Sequence, residues 1–283
     1  MIVGDFLQLP PIVMAKTDMA KKWLGRDIFY VSGAQELFKS ENVENRPRNY
    51  IMLNHQFRMD EEIANIVNLY YSEYCPLRSS VNSDKKKEER KEFYKWYNYK
   101  FEQKAYTSFR REHCIHLLDT KNLNAWVTSV PTGNNKSSKL NVFSAVLSVE
   151  LAFELLQNKI NDAIETKSNP LILIVAPYKP HIKWIEQLIQ DKYRTFGIPS
   201  DANLVQAGTI HSFQGKEADV VIFDMVIDEP HYKAGIFMNK DEINNEYQKM
   251  FNVAVSRAKQ KLFLWAILIT VETKQRPTRL EIY

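Results

Sequence analysis

Three short apolar runs constrain this chain more than any other feature. They are Leu171 to Ala176, Val220 to Val226 and Leu262 to Val271. Even the longest is about half the length a membrane span needs. Strands that are apolar on both faces belong inside a parallel sheet covered by helices. The segments between the runs carry helical spacing. Val142 to Ile160 is amphipathic, a helix is predicted from about His181 to Lys192, and another over Lys249 to Lys259 leads into a strand over Lys261 to Ile269. Strands alternating with helices predict an α/β fold, a mostly parallel sheet with helices on both faces. Upstream, Ile63, Ile66, Val67 and Tyr70 place a helix over Asp60 to Tyr71, and Ala34 to Lys39 reads as a short one. Further strands are expected at Met1 to Val3 (the end of one), Tyr50 to Leu53 and Cys114 to Leu118. Loops are expected at Gly4 to Pro11, Ser79 to Asp84 and Ser129 to Lys139.

Composition narrows the class without naming a function. Apolar residues at 45% and charged residues at 25% describe an ordinary soluble globular chain. A net charge of +4 fits a nucleic-acid partner but does not demand one. Cys75 and Cys114 lie far apart and make no disulfide framework, so a reducing cytoplasm is the simpler expectation. The N-terminus lacks a basic-then-apolar leader, and Asp5 interrupts it at once.

Four segments carry groups suited to phosphate chemistry. Gly4-Asp5-Phe6-Leu7-Gln8-Leu9-Pro10-Pro11 follows a strand-like start, and an amide such as Gln8 can touch a terminal phosphate or its attacking water. In Asn54-His55-Gln56-Phe57-Arg58-Met59-Asp60, Arg58 precedes a helix, and a guanidinium matches phosphate oxygens two at a time. In Thr209-Ile210-His211-Ser212-Phe213-Gln214-Gly215-Lys216-Glu217, small and hydroxyl residues let a phosphodiester backbone approach, and a carboxylate can accept from ribose hydroxyls. In Asn252-Val253-Ala254-Val255-Ser256-Arg257-Ala258-Lys259, a second cation stands before an apolar strand. Each alone reads equally as a turn, a solvated loop or a salt-bridged helix face.

Their kind and order resemble the C-terminal motifs of superfamily 1 helicases, in the Upf-like and senataxin-like branch of the AAA-type P-loop NTPases. Pro177-Tyr178-Lys179 is similar to that family's Thr-Pro-Tyr segment, and Ser138-Lys139-Leu140-Asn141 precedes a long helix as its counterpart does. The resemblance implies a RecA-like fold and an ATP-dependent motor acting on single-stranded DNA or RNA, with ATP and Mg²⁺ as cofactors. It implies that Gln8 senses the γ-phosphate and that Arg58 and Arg257 act as arginine fingers. Gln214, Gly215 and Glu217 would contact nucleotide, Glu217 at the ribose, with Phe57 near the base. Pro177, Tyr178, Thr209 and Ser212 would lie along the nucleic acid. Ala176 and His211 depart from the pattern, where Thr and Asp are usual.

No Gly-x-x-x-x-Gly-Lys-Ser/Thr occurs: Gly215-Lys216 is preceded at the fifth position by Ile210 and followed by Glu217. The phosphate cradle and the Mg²⁺ carboxylates are therefore expected from an N-terminal RecA-like domain, the chain being a fragment, one half of a split gene, or a partner of a separate first half. On that reading residues 1–48 are a remnant of the first domain and 49–283 form the second. The alternative is a non-catalytic nucleic-acid-binding or regulatory module. The remnant is expected to promote self-association, relieved by deletion to about Asn45. A basic and aromatic insertion covers about 84–112, where Phe93, Tyr97 and Phe101 recur at helical spacing. It reads either as a helix packed on the core or as a nucleic-acid-binding element. His113, Cys114 and His116 lack a fourth ligand nearby, and no metal site is expected.

Overall fold

The computed structural model describes residues 2–10, 17–39, 47–80, 84–97, 113–120, 125–133, 137–157, 170–228 and 246–266, with a few single residues and short pieces besides. Three short helices come first, α1 (Asp18–Leu24), α2 (Ile28–Val31) and α3 (Ala34–Leu37). Then follow β1 (His55–Gln56), α4 (Glu61–Tyr71), β2 (Arg78–Ser79), α5 (Asp84–Trp96), β3 (Ile115–Asp119), β4 (Val127–Pro131), β5 (Ser137–Asn141) and α6 (Val142–Leu156). The remainder runs β6 (Ile172–Ala176), α7 (Lys179–Thr195), β7 (Val205–Thr209), a 3-10 turn (Ile210–Phe213), β8 (Ala218–Asp224), α8 (Glu246–Val255), β9 (Ala258–Ala266), β10 (Leu268–Ile269) and β11 (Glu281–Ile282).

The central sheet has the order β3-β9-β8-β6-β7, and every pairing within it is parallel. Side chains alternate across it, as a period of two requires. Leu173 and Val175, Val221 and Phe223, and Leu262 and Leu264 face one apolar layer, with α4, α8 and the N-terminal segment. Ile172 and Ile174, Val220 and Ile222, and Phe263 and Trp265 face the other, with α5, α6 and α7. This is why the three runs are apolar throughout: neither face meets water. The fold is a mixed α/β, RecA-like one. Among the described residues no helix is long and apolar enough to cross a membrane.

The helices start where local chemistry lets them. Asp60 caps α4 by accepting from the Glu62 amide, and Glu61 and Glu62 sit at its positive end. Asn141 caps α6 through the Ser144 amide, 3.0 Å away. A proline in the first turn of α7 needs no amide partner there.

Several expectations are corrected. Residues 2–3 form no strand and are exposed. The strand expected at Tyr50 to Leu53 is irregular; Ile51 and Leu53 are exposed, and pairing begins only at β1, against β2. The loop expected over Ser129 to Lys139 is largely strand: β4 and β5 pair antiparallel, with Gly133 at φ +84° in the connection. The N-terminal segment is no loose remnant. Phe6, Leu7, Leu9, Ala34 and Phe38 are buried in the same apolar layer as α4 and β8. In α5, Phe93 and Tyr97 are buried and their rings stack at 4.6 Å, the packed-helix alternative. Tyr94 and Tyr97 also flank the buried Lys261 ammonium, which donates to the His113 carbonyl at 2.5 Å. Tyr99, Phe101, Tyr106 and Phe109 lie outside the described residues.

Candidate functional site

The starts of β8 and β9 lie side by side, with Ala218 opposite Ala258. The residue before each strand, Glu217 and Arg257, is therefore brought to one place. The loop ahead of α4 joins them, because the Asp60 amide donates to the Lys259 carbonyl at 2.8 Å. Arg58 Nε then meets Glu217 Oε2 at 2.7 Å, and its Nη1 donates to the Ser256 carbonyl at 3.1 Å. Lys86 of α5, which the motif reading missed, donates from Nζ to the Arg58 carbonyl at 2.7 Å and fixes that loop from behind.

Arg257 is only 2% exposed. Its guanidinium donates to the Val253 and Lys216 carbonyls, to Ser256 Oγ, and at 3.2 Å to Gln8 Oε1. Burial, then the nearby Arg58 charge, lower its pKa to about 10, while Glu217 opposes the shift. Two guanidiniums held this close favour an anion between or beside them.

Gln8 is aimed by its own loop. Asp5 accepts from the Leu7 amide at 3.0 Å and from Gln8 Nε2 at 2.9 Å. The Tyr71 hydroxyl of α4 donates to the same Asp5 carboxylate, and buried Asn252 of α8 donates to the Leu7 carbonyl at 2.9 Å. Burial, with the Asp5 charge second, drives the Tyr71 pKa well above the phenol range, so the hydroxyl keeps its proton. Tyr71 looked like one more apolar position of α4. The available signal was that a tyrosine hydroxyl inside a core needs a partner.

Gln214 donates to the Leu9 carbonyl at 3.4 Å, and Gly215 takes φ +83°, a left-handed conformation that favours glycine. Phe57 is 61% exposed and touches none of this cluster's printed partners. The candidate nucleic-acid residues lie elsewhere. Pro177 and Tyr178 follow the carboxyl end of β6, and Thr209 ends β7. Tyr178 is buried in the apolar layer, with Lys139 Nζ 5.9 Å from its ring centre, so its ring is not presented as the resemblance implies. Thr209 and Ser212 line a groove of about 860 Å³ with Lys179, Lys183 and Lys216. The hydroxyl of Ser212 donates to the Thr209 carbonyl at 2.6 Å. Gly208 is required there, since a side chain would meet the Phe213 ring at 2.9 Å. Among the described residues no group of three or more His, Cys, Asp or Glu is placed to hold a metal ion.

A family model described as an AAA domain matches residues 34–266. That match covers most of the chain and takes in the whole five-stranded sheet, α4 and the Arg58, Glu217 and Arg257 cluster. The chain belongs to this AAA-domain family, and what it carries is a helicase-like, nucleic-acid-acting NTPase domain of RecA-like fold.

Proposed function

We propose that the chain is the C-terminal part of an ATP-dependent DNA or RNA helicase of superfamily 1, in the Upf-like and senataxin-like branch. Residues 49–283 act as the second RecA-like unit, and residues 1–48 are the end of the first. The observation that carries this reading is the single network made by Gln8, Arg58, Glu217 and Arg257, whose members come from as far as 249 residues apart. In the working motor Arg58 and Arg257 stabilise charge on the transferring phosphoryl group, and Gln8 reports the γ-phosphate. Glu217 accepts from the ribose, beside Gln214 and Gly215. Thr209 and Ser212 contact the single strand. A partner unit bearing the P-loop and the metal-binding carboxylates supplies the phosphate cradle and Mg²⁺.

The test is hydrolysis by parts. The 283-residue chain alone hydrolyses no ATP above background, with or without single-stranded nucleic acid. A first RecA-like unit with a P-loop restores nucleic-acid-stimulated hydrolysis, and Arg58→Ala or Arg257→Ala removes about 10³ to 10⁵ of that rate. ATPase activity from the chain alone that survives both substitutions refutes the proposal. Tight nucleic-acid binding with no hydrolysis in any combination identifies a non-catalytic module instead.

A further inference from the structure

We infer that the open edge of the sheet, the groove between β7 and α7, is a track for the phosphodiester backbone of a single strand, with Lys183 and the amides of Ala207 and Thr209 among its contacts. The inference rests on the proposed nucleic-acid reading and extends it along the side of the sheet.

β7 is the last strand of the sheet, so one side of its backbone has no neighbouring strand. Two observations fix which amides face outward. The Leu204 carbonyl accepts from Leu171 and Ile172, at the β6 side. The Val205 amide instead donates to the Tyr193 hydroxyl of α7, at 2.9 Å. With a period of two, Ala207 and Thr209 share the orientation of Val205 and point their N–H groups into the groove. These are fixed donors that carry no sequence preference, as a backbone-reading site needs.

Charge completes the match. Lys179 and Lys183 stand on successive turns of α7 and are exposed on one wall. Lys216 stands on the other, its Nζ 3.3 Å from Gln206 Oε1. Two carboxylates, Glu186 and Asp201, also line the groove, and Asp201 lies before β7 begins. The balance near Ala207 and Thr209 is cationic. An extended peptide adding to β7 would use the same amides, but the three ammonium groups select a polyanion. Lys216 also ties the track to the phosphate-directed cluster, because its carbonyl accepts from Arg257 at 3.3 Å while its ammonium faces the groove.

The experiment measures binding of a short fluorescein-labelled oligo(dT) to the whole chain by fluorescence anisotropy, between about 50 and about 200 mM salt. Lys183→Ala, at an exposed position, is expected to weaken binding several-fold and to make the log–log salt slope shallower by about 0.7, one phosphate contact on a single strand. Ala207→Pro removes one groove-facing amide and is expected to lower affinity without changing the salt slope. Its melting curve shows whether the strand persists, since proline is tolerated on an edge whose N–H faces outward. If the wild type binds and Ser212→Ala weakens it while Lys183→Ala and a folded Ala207→Pro do not, the track is wrong and the broader reading stands. If the wild type binds no oligonucleotide, both fall. Binding of an extended peptide, blocked by Ala207→Pro and indifferent to Lys183→Ala, would show the edge to be a protein-docking strand and overturn the proposal.

Discussion

The two candidate arginine fingers should differ sharply in what they do for stability. Arg257 is buried and donates to four acceptors, three within 3.2 Å and the Lys216 carbonyl at 3.3 Å. A hydrogen bond from a charged donor contributes about 1.5–3 kcal/mol, but these are not additive. In Arg257→Ala the Lys216 carbonyl and the Gln8 amide, both partly exposed, can take water in place of the guanidinium. The expected loss is therefore about 2–4 kcal/mol rather than the full sum. Arg58 is different. Its bridge to Glu217 joins side chains that are 35% and 38% exposed, and such a pair is worth about 0–1 kcal/mol. Adding one bond to the Ser256 carbonyl, Arg58→Ala should cost about 1–2 kcal/mol. At roughly 2–4 °C per kcal/mol, thermal melting followed by circular dichroism resolves the two. Arg257→Ala melting within about 2 °C of wild type, or Arg58→Ala proving the more damaging, would refute this account of the cluster. Loss of hydrolysis is consequently cleaner to interpret for Arg58→Ala, since Arg257→Ala also loosens the fold around Gln8.

Other outcomes follow from the same contacts. Burial, then the Lys261 charge, lowers the His116 pKa to about 4, so between its unfolded value of 6.5 and 4 the unfolded chain binds the extra proton and stability falls as pH falls. His116→Phe, which can keep the stacking on Phe263, should flatten urea-melting midpoints across that window; an unchanged pH dependence counts against it. Phe6 packs on Phe29, Phe38 and Tyr74, so Phe6→Ala should cost about 3–5 kcal/mol, and deletion to Asn45 should destabilise rather than solubilise the chain. A truncated chain that melts cooperatively at the wild-type temperature would refute that. Asp224, fully buried, accepts from His181 Nε2 at 2.9 Å and from the Val226 amide at 2.9 Å, where Val226 holds a positive φ. Asp224→Ala should cost about 2–4 kcal/mol by stranding those donors, and a denaturation midpoint shift worth under 1 kcal/mol would refute it.

The sheet was legible because its strands are buried twice over. Ile172, Ile174, Val220 and Ile222 had to be apolar for one face, and Leu173, Val175, Val221 and Phe223 for the other. The hairpin of β4 and β5 was not, because Ser129, Ser137 and Ser138 carry no apolar alternation that separates a half-exposed ribbon from a loop. Arg58, Gln8, Glu217 and Arg257 could be picked out as residue types in order, but their pairing could not. Arg58 meets a carboxylate 159 residues away, and only the joint start of β8 and β9 makes them neighbours. Lys86 and Tyr71 went unread for a related reason: one looked like a solvated helix face and the other like ordinary core.

The geometry separates a fixed cation from a releasable one. Arg257 is anchored by backbone carbonyls of α8 and of the segment before β8, so its position follows the fold itself. Arg58 is held chiefly by Glu217, in a bridge of small net worth. In the proposed motor the arrival of nucleotide would break that bridge at little cost, freeing Arg58 for phosphate and Glu217 for ribose in one exchange. Gln8 touches the fixed guanidinium through Oε1 and the Asp5 carboxylate through Nε2. Any displacement of Gln8 by a γ-phosphate would therefore be felt at Tyr71 in α4 and at Asn252 in α8, which clamp that loop from two helices. A phosphate signal in such an arrangement reaches the body of the domain through side chains already buried in it.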